Sequence, residues 1–151
     1  MAHQGSREPS EHLQQMRADE AAVEVNTIES YRRFDEGIKR MKEENLAYLN
    51  QAKIDGKRVY GFGAPVKGNT LLNYFGIGTD LIEFLVEKNE LRRNLFSPGM
   101  HIPLLIEKEV NELPNIYYVL AWNFKKEILA NNQQLINDGV EFFFPVNPKT
   151  D

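Results

Sequence analysis

The strongest constraint on the fold is an alternation of strand-like and helix-like runs that begins after Gly56. Short runs rich in β-branched and aromatic residues are separated by turn residues and amphipathic stretches, which is typical of strands joined by helices. The runs interpreted as strands are 57–63, 81–89, the end of 97–105, 115–123 and 140–146. Between the last three strands, a short helix is expected over 107–113 and an amphipathic helix over 124–139, ending at Gly139. Alternating strands and helices are joined by right-handed crossovers in a mostly parallel sheet. We expect the strand order third, second, first, fourth, fifth.

A long amphipathic helix precedes this region. Its apolar residues recur at mostly three- and four-residue steps, which is one face of a helix. They are Ile28, Tyr31, Phe34, Ile38, Met41, Leu46 and Leu49. Asn26 and Glu29 are spaced as a capping box, and Gly56 marks the expected helix stop. The sequence therefore predicts an α/β fold, a Rossmann-like three-layer domain with a mostly parallel sheet of about five strands, preceded by a long helix.

The first 25 residues differ from the rest. Residues 1–25 are polar and contain few large apolar side chains. We expect a partly disordered or vector-derived N-terminal segment, with at most a loose helix. The domain and its leading helix are then expected to span 26–151.

Composition excludes several classes of protein. The chain has 151 residues and no cysteine, which excludes cysteine-bound zinc, disulfides and thiol catalysis within it. A net charge of −4 gives no broad attraction to nucleic acid or anionic membranes. No apolar run approaches the roughly 20 residues of a membrane span. We expect a cytoplasmic protein with neither nucleic acid nor membrane as a partner, and one that binds no metal.

The turn after the first predicted strand resembles two phosphate loops and matches neither. Gly61, Gly63 and Gly68 give G-x-G-x-x-x-x-G, two residues longer than the dinucleotide fingerprint, and Pro65 stands where the tight turn belongs. A P-loop has lysine directly after its last glycine, where this chain has Asn69. A P-loop NTPase is therefore excluded.

An anion site is the functional interpretation of this turn. Backbone N–H groups and the cation of Lys67 come together at the start of a helix, and helix N-termini attract anions. A phosphate, a pyrophosphate or a carboxylate fits there. The alternative is that the glycines only let the strand turn tightly, with Lys67 solvated.

Further polar residues follow the predicted strands, where ligands bind in open α/β sheets. The acid Glu87 is placed like a ribose-binding carboxylate, although it also fits a solvated pair with Lys88. Asn123 fits a ligand contact or a cap for the next helix, and Trp122 fits the core. The candidate substrate-binding residues are Gly61, Gly63, Lys67, Gly68, Asn69, Thr70, Glu87, Asn89, His101 and Asn123. No catalytic or metal-ligating residue is predicted.

Several of these stretches are long enough to indicate a family. Over about 31–145 the chain resembles the C-terminal domain of the SAM-dependent sugar C-methyltransferases, which act on nucleotide-linked deoxysugars. The motifs that carry the resemblance are GKRVYGFGAPVKGNTLLNYFGIG, VEKN, SPGMHIPLL and LAWNFKKEI. Two positions depart from the family pattern, since Glu87 stands where aspartate is usual and Met100 where threonine is usual. These departures leave the sugar preference open.

The resemblance implies that the domains of a complete enzyme have different roles. A complete member has an N-terminal zinc-binding domain, a central SAM-binding domain that holds the catalytic acid and base, and this C-terminal domain. The chain then corresponds to the third domain alone, binds no cofactor itself, and helps to shape the nucleotide-sugar cleft. Its expected partners are the nucleotide-sugar and the rest of the methyltransferase, with a homodimer also open. We expect the isolated chain to have no methyltransferase activity.

Two other functions remain open on the sequence. One is a free-standing binder of NAD-like nucleotides, which Glu87 favours and the glycine spacing disfavours. The other is an interaction module with a vestigial crevice, which docks through the long helix of 27–55. That module would expose an apolar stripe on the helix.

Overall fold

The computed structural model describes residues 8–146. The helices are α1 (Glu11–Ala22), α2 (Ile28–Ile54), α3 (Val66–Phe75), α4 (Lys125–Asn131) and α5 (Gln133–Asn137). The strands are β1 (Val59–Phe62), β2 (Leu85–Glu87), β3 (Leu104–Ile106), β4 (Ile116–Val119) and β5 (Glu141–Phe143). Single 3₁₀ turns occupy Glu90–Arg92, Glu107–Glu109 and Trp122–Phe124. The chain divides into two compact units between Arg40 and Met41.

The first unit holds α1 and the beginning of α2. The N-cap of α1 is Ser10, whose hydroxyl accepts from the Leu13 amide at 3.3 Å, and no residue of α1 is buried. Thr27 caps α2, since its hydroxyl accepts from the Ser30 amide at 3.2 Å. The predicted cap at Asn26 was therefore wrong by one residue. The predicted boundary at residue 26 stays a prediction.

The second unit is built on a five-stranded sheet in which every neighbouring pair is parallel. The strand order is β3-β2-β1-β4-β5, which confirms the predicted order and the α/β class. β1 is central and pairs with both β2 and β4. The order reverses between β1 and β4, and this switch point is where open α/β sheets form a ligand crevice.

Adjacent tyrosines of β4 show how the two faces of the sheet are covered. Tyr117 packs with Tyr60 and Val86 in a cluster that includes Leu135 of α5. Tyr118 faces the opposite side, because side chains alternate along a strand. There its buried hydroxyl donates to Asn45 of α2 at 2.7 Å. Helices thus cover both faces, as the three-layer prediction requires.

Two predicted helices are shorter than expected. The stretch 107–113 was expected to be a short helix, but only one 3₁₀ turn forms at Glu107–Glu109. The stretch 124–139 was expected to be one helix, but it divides at Asn132, whose φ of −118° lies outside the helical range. The Ile128 carbonyl, near the end of α4, accepts from the Asn132 side-chain Nδ2 at 2.7 Å and from the Asn132 backbone amide at 3.1 Å. No helix among residues 8–146 is long and apolar enough to cross a bilayer.

Candidate functional site

The turn between β1 and α3 uses one of its three glycines for backbone conformation. Gly63 has a φ of 77°, which L side chains rarely adopt. Pro65 is the N-cap of α3, where its missing N–H costs nothing. The first intrahelical bond of this turn runs from the Asn69 amide to the Pro65 carbonyl at 3.1 Å. The N–H groups of the first helical turn consequently lack intrahelical partners, as at any helix start.

The other two glycines serve packing. A Cβ on Gly61 would lie 2.4 Å from Leu85 Cδ2 in the neighbouring strand, and a Cβ on Gly68 would lie 2.7 Å from Leu120 Cβ. Gly68 therefore lets α3 approach the end of β4, which is the role of the third glycine in the dinucleotide fingerprint. The structure explains Gly61 and Gly68 without a ligand, and a substrate contact for either residue stays a prediction.

Lys67 lies over the indole ring of Trp122. Its Nζ is 5.1 Å from the ring centroid, within the range of a cation–π contact. No carboxylate of residues 8–146 lies within 4 Å of that Nζ. Trp122 is half-buried directly after β4, so the turns that follow β1 and β4 meet across the switch point. Lys67 is thus a positive charge without an ion-pair partner in residues 8–146, and it lies beside the turn that follows β4.

Glu87 is held by internal bonds. Its Oε1 accepts from the amides of Lys88 and Asn89 at 2.9 and 3.3 Å, and its Oε2 accepts from Arg92 Nη1 at 2.9 Å. Arg92 Nη1 also donates to the Ala64 carbonyl at 2.8 Å. Three of the roughly four acceptor sites of the carboxylate are thus filled. The predicted solvated pair with Lys88 was wrong, because the Glu87 side chain is only 17% exposed and pairs with Arg92.

Arg92 is the residue that sequence reasoning missed. Its guanidinium ties the end of β2 to the turn after β1, and so connects Glu87 with Ala64. No periodic or motif signal marks an arginine in a 3₁₀ turn. The only sequence signal for the pairing is that Arg92 follows Glu87 by five residues.

Asn89 and Asn123 stand at the carboxyl edge with different roles. The Asn89 side-chain oxygen accepts from the Leu91 amide at 3.1 Å and caps the 3₁₀ turn that contains Arg92. Asn123 is exposed within the turn after β4. The N-cap of α4 is Phe124, with no side-chain cap, so the predicted capping role of Asn123 was wrong. The Asn123 side chain faces solvent beside the crevice.

His101 lies elsewhere. It precedes β3, so it belongs to the amino end of that strand, whereas Glu87 is the last residue of β2 and Lys67 follows β1. The side chain is exposed at a φ of 52°, and the backbone amide donates to the Ser97 carbonyl at 3.0 Å. The expectation that His101 shares an edge with the other candidates was wrong, because the loop turns back beside α3. Beside α3, the side-chain Nδ2 of Asn73 donates to the Pro98 carbonyl at 2.9 Å.

Besides a pocket of about 640 Å³ along α3, whose wall includes Asn69, Thr70 and Asn73, two pockets flank the turn. The first, of about 290 Å³, is the switch-point pocket; its wall includes Phe62, Lys88, Ala121, Phe124 and Glu127. The second, of about 270 Å³, is the Arg92 pocket; its wall includes Ala64, Asn69, Arg92, Leu95 and Phe96. Of the other candidates, Thr70 is exposed on α3 and donates to the Val66 carbonyl at 3.3 Å.

The carboxylate of Glu87 is not free to bind a ribose hydroxyl. A ribose-binding acid must offer its carboxylate to the ligand, but that of Glu87 is bonded to its own turn and to Arg92. The glycine turn also begins its helix at Pro65. Within residues 8–146 no three His, Cys, Asp or Glu side chains are grouped as metal ligands.

Comparison with known proteins decides the family. A family model described as the C-methyltransferase C-terminal domain matches residues 1–147. The chain belongs to the C-methyltransferase C-terminal domain family. The resemblance inferred from the motifs is thereby confirmed.

A curated relative supports the same assignment for this C-methyltransferase C-terminal domain. The C-methyltransferase NovU of Streptomyces niveus is 31% identical over 133 residues, which cover 87% of this chain and 32% of the relative. The chain therefore spans about a third of the length of the curated relative that it matches.

Proposed function

We propose that this chain is the substrate-binding and structural domain of a SAM-dependent C-methyltransferase that acts on nucleotide-linked deoxysugars. The turn after β1 is assigned to the diphosphate of the nucleotide. The observation that carries this assignment is the charge of Lys67, which has no carboxylate partner in residues 8–146 and lies beside the free amides of the α3 N-terminus. Both features favour an anion.

The environment of the turn supports a diphosphate over a dinucleotide. Dinucleotide binding needs an acid that is free to accept from a ribose hydroxyl, and the carboxylate of Glu87 has three internal donors. Binding of a diphosphate needs only hydrogen-bond donors and a cation. Lys67 and the first-turn amides supply both.

The chemistry of methyl transfer is assigned to the remainder of the polypeptide. A C-methyltransferase needs a base positioned beside an acidic C–H and a donor for the enolate oxygen. No such pair of groups converges at the carboxyl edge of this sheet within residues 8–146. This domain then holds the nucleotide. SAM and the catalytic base lie outside this domain.

A ligand screen tests the proposal. The chain is titrated calorimetrically with a thymidine-diphosphate sugar, with NAD and with SAM. We expect binding of the sugar nucleotide only, together with no methyl transfer when SAM and a 4-keto sugar nucleotide are added. Binding of NAD with no response to the sugar nucleotide would reverse the assignment. Product above background would show that the chain contains catalytic groups.

A second function, docking through α2, has its own observation. Ile28, Tyr31 and Phe34 recur along the first part of α2, and each is more than half exposed. Such a stripe of large apolar side chains is typical of an interaction surface. Sedimentation equilibrium of the chain and of a Tyr31→Ser, Phe34→Ser variant decides between the functions. A dimer that dissociates in the variant supports docking, and a monomer in both excludes self-association.

A further inference from the structure

The apolar face of α2 is covered along only part of the helix. Leu49 and Ala52 are buried, whereas Tyr31 and Phe34 are 57% and 69% exposed. Tyr31 precedes Leu49 by 18 residues, and Phe34 precedes Ala52 by the same number. Because an α-helix has 3.6 residues per turn, 18 residues make five turns, so each exposed ring is on the same face of α2 as its buried counterpart. The face that forms core at the end of α2 is thus exposed at its beginning.

We propose that the α2 stripe, which consists of Ile28, Tyr31 and Phe34, binds the α2 stripe of a second copy of the chain, with the two helices antiparallel. This inference rests on the second function proposed above, docking through α2, and it adds the partner and the orientation. It is independent of nucleotide binding, which is assigned to the turn after β1.

The charges beside the α2 stripe favour a second copy as the partner. Arg32 and Asp35 follow Ile28 by four and seven residues, so they lie along one edge of the stripe, and both are exposed. A two-fold axis makes every contact reciprocal. Antiparallel helices therefore bring Arg32 of each copy to Asp35 of the other, whereas parallel helices would bring like charges together.

The existing ion pair of Asp35 does not prevent this exchange. Its carboxylate lies 2.6 Å from the Lys39 ammonium, and both side chains are more than half exposed. Exposed pairs of this kind at a spacing of four residues contribute little to stability. The Asp35 carboxylate can consequently accept from Arg32 of a second copy without disturbing the helix.

The exposed apolar area predicts a weak, reversible dimer. A buried Tyr or Phe side chain covers about 150–250 Å², so Tyr31 and Phe34 each leave roughly 100–150 Å² exposed. Together with Ile28 and with Val23 and Val25 before α2, which are also exposed, the surface is roughly 500 Å², as large as the apolar patches that are often functional. Two copies would bury about 1,000 Å², at the lower limit of specific interfaces.

Sedimentation equilibrium of the whole chain over a wide range of concentrations tests the proposal. We expect a monomer–dimer equilibrium with a dissociation constant on the order of 10–100 μM, because the buried area is small. Tyr31→Ser, Phe34→Ser is expected to be monomeric throughout this range. Circular dichroism shows whether the variant keeps its helices.

Charge reversals test the orientation. Arg32→Asp and Asp35→Arg each bring like charges together in the antiparallel dimer, and each is expected to weaken it about tenfold. The double variant Arg32→Asp, Asp35→Arg restores opposite charges and should dimerise like the unaltered chain. Glu36→Arg is the matched control, because Glu36 is exposed two residues after Phe34 and lies on the opposite side of α2. It should leave the dissociation constant unchanged.

Cross-linking gives a second measure of orientation, since the chain has no cysteine of its own. Arg32→Cys and Asp35→Cys proteins are prepared separately and treated with a short bis-maleimide, either alone or mixed. We expect the mixture to yield mainly a cross-linked dimer of one protein with the other. Preferential cross-linking of each protein to itself would overturn the antiparallel arrangement.

The remaining outcomes separate this inference from the functions on which it draws. A monomer at every concentration would overturn self-association and leave the α2 stripe to a different chain or domain. A dimer that Tyr31→Ser, Phe34→Ser dissociates but the charge reversals do not affect would support docking through α2 and overturn the antiparallel pairing. Binding of the sugar nucleotide is measured separately by calorimetry, so its failure would not be confused with either result.

Discussion

The ammonium of Lys67 lies 5.1 Å from the centroid of the Trp122 ring, and this contact joins the turn after β1 to the turn after β4. The two strands are neighbours, but their connections leave toward opposite faces of the sheet. The contact therefore spans the point where a ligand would enter the crevice. An anion that binds Lys67 would compete with the indole ring for the ammonium.

Replacing Lys67 tests this competition. Lys67→Met is expected to weaken binding of a nucleotide diphosphate about ten- to a hundredfold, because a charge-assisted hydrogen bond is lost. Trp122 is the sole tryptophan, so its fluorescence should change on binding in the unaltered chain and not in the variant. Lys57→Met, at the amino end of β1, is the matched control and should bind normally. Equal affinities in all three proteins would remove Lys67 from the site.

A side chain at Gly68 should destabilise the domain. Gly68→Ala places a methyl group 2.7 Å from Leu120 Cβ, and overpacking of this kind costs about 1–3 kcal/mol in free energy of unfolding. Gly37→Ala in α2 is the control, since no atom lies within 4 Å of its new Cβ. That change should stabilise by up to about 1 kcal/mol, because alanine is the better helix former. Urea denaturation measures both, and a neutral Gly68→Ala would refute the packing role.

The hydrogen bonds of Asn45 should be important for stability. Its side chain accepts from the Tyr118 hydroxyl at 2.7 Å and donates to the Pro145 carbonyl at 3.1 Å. Asn45→Ala leaves these buried groups unpaired and should cost about 2–4 kcal/mol. A double-mutant cycle with Tyr118→Phe should give a coupling of about 0.5–3 kcal/mol. Additive effects would show that the two side chains act independently.

Alkaline pH should destabilise the second unit. Burial, assisted by the charge of Glu107, raises the pKa of Tyr117 to about 12, above its ordinary value of 10. The unfolded chain therefore releases this proton first, and stability present below pH 10 is lost as the pH rises toward 12. Burial also raises the pKa of Tyr118. Unfolding free energies between these pH values should fall less steeply in Tyr117→Phe, and an unchanged slope would contradict this assignment.

The extent of each helix depended on more than its sequence pattern. The period of α2 was sufficient to predict a long helix, since seven apolar residues share one face. The period of 124–139 predicted one helix as well, but the helix divides at Asn132, whose φ of −118° lies outside the helical range. A change of backbone conformation at one residue does not alter the apolar pattern.

The glycine turn was predicted, and the alternative that its glycines let the strand turn tightly holds for Gly63. The spacing of Gly61, Gly63 and Gly68 indicated a strand-to-helix turn, which the structure has. Only the packing shows that Gly63 is needed for its φ and the other two for the closeness of Leu85 and Leu120. Leu85 lies in β2 and Leu120 follows the end of β4, so neither neighbour can be seen in the local sequence.

Strand order and the place of the first turn follow from local alternation, turn residues and the handedness of crossovers, which need no knowledge of distant contacts. The partners of the charged side chains depend on packing. Glu87 is joined to Arg92, Lys67 lies over Trp122, and His101 is carried to the other end of its strand. Such pairings are selected by distances of a few ångströms between separate turns, because Coulomb and hydrogen-bond energies fall steeply with separation.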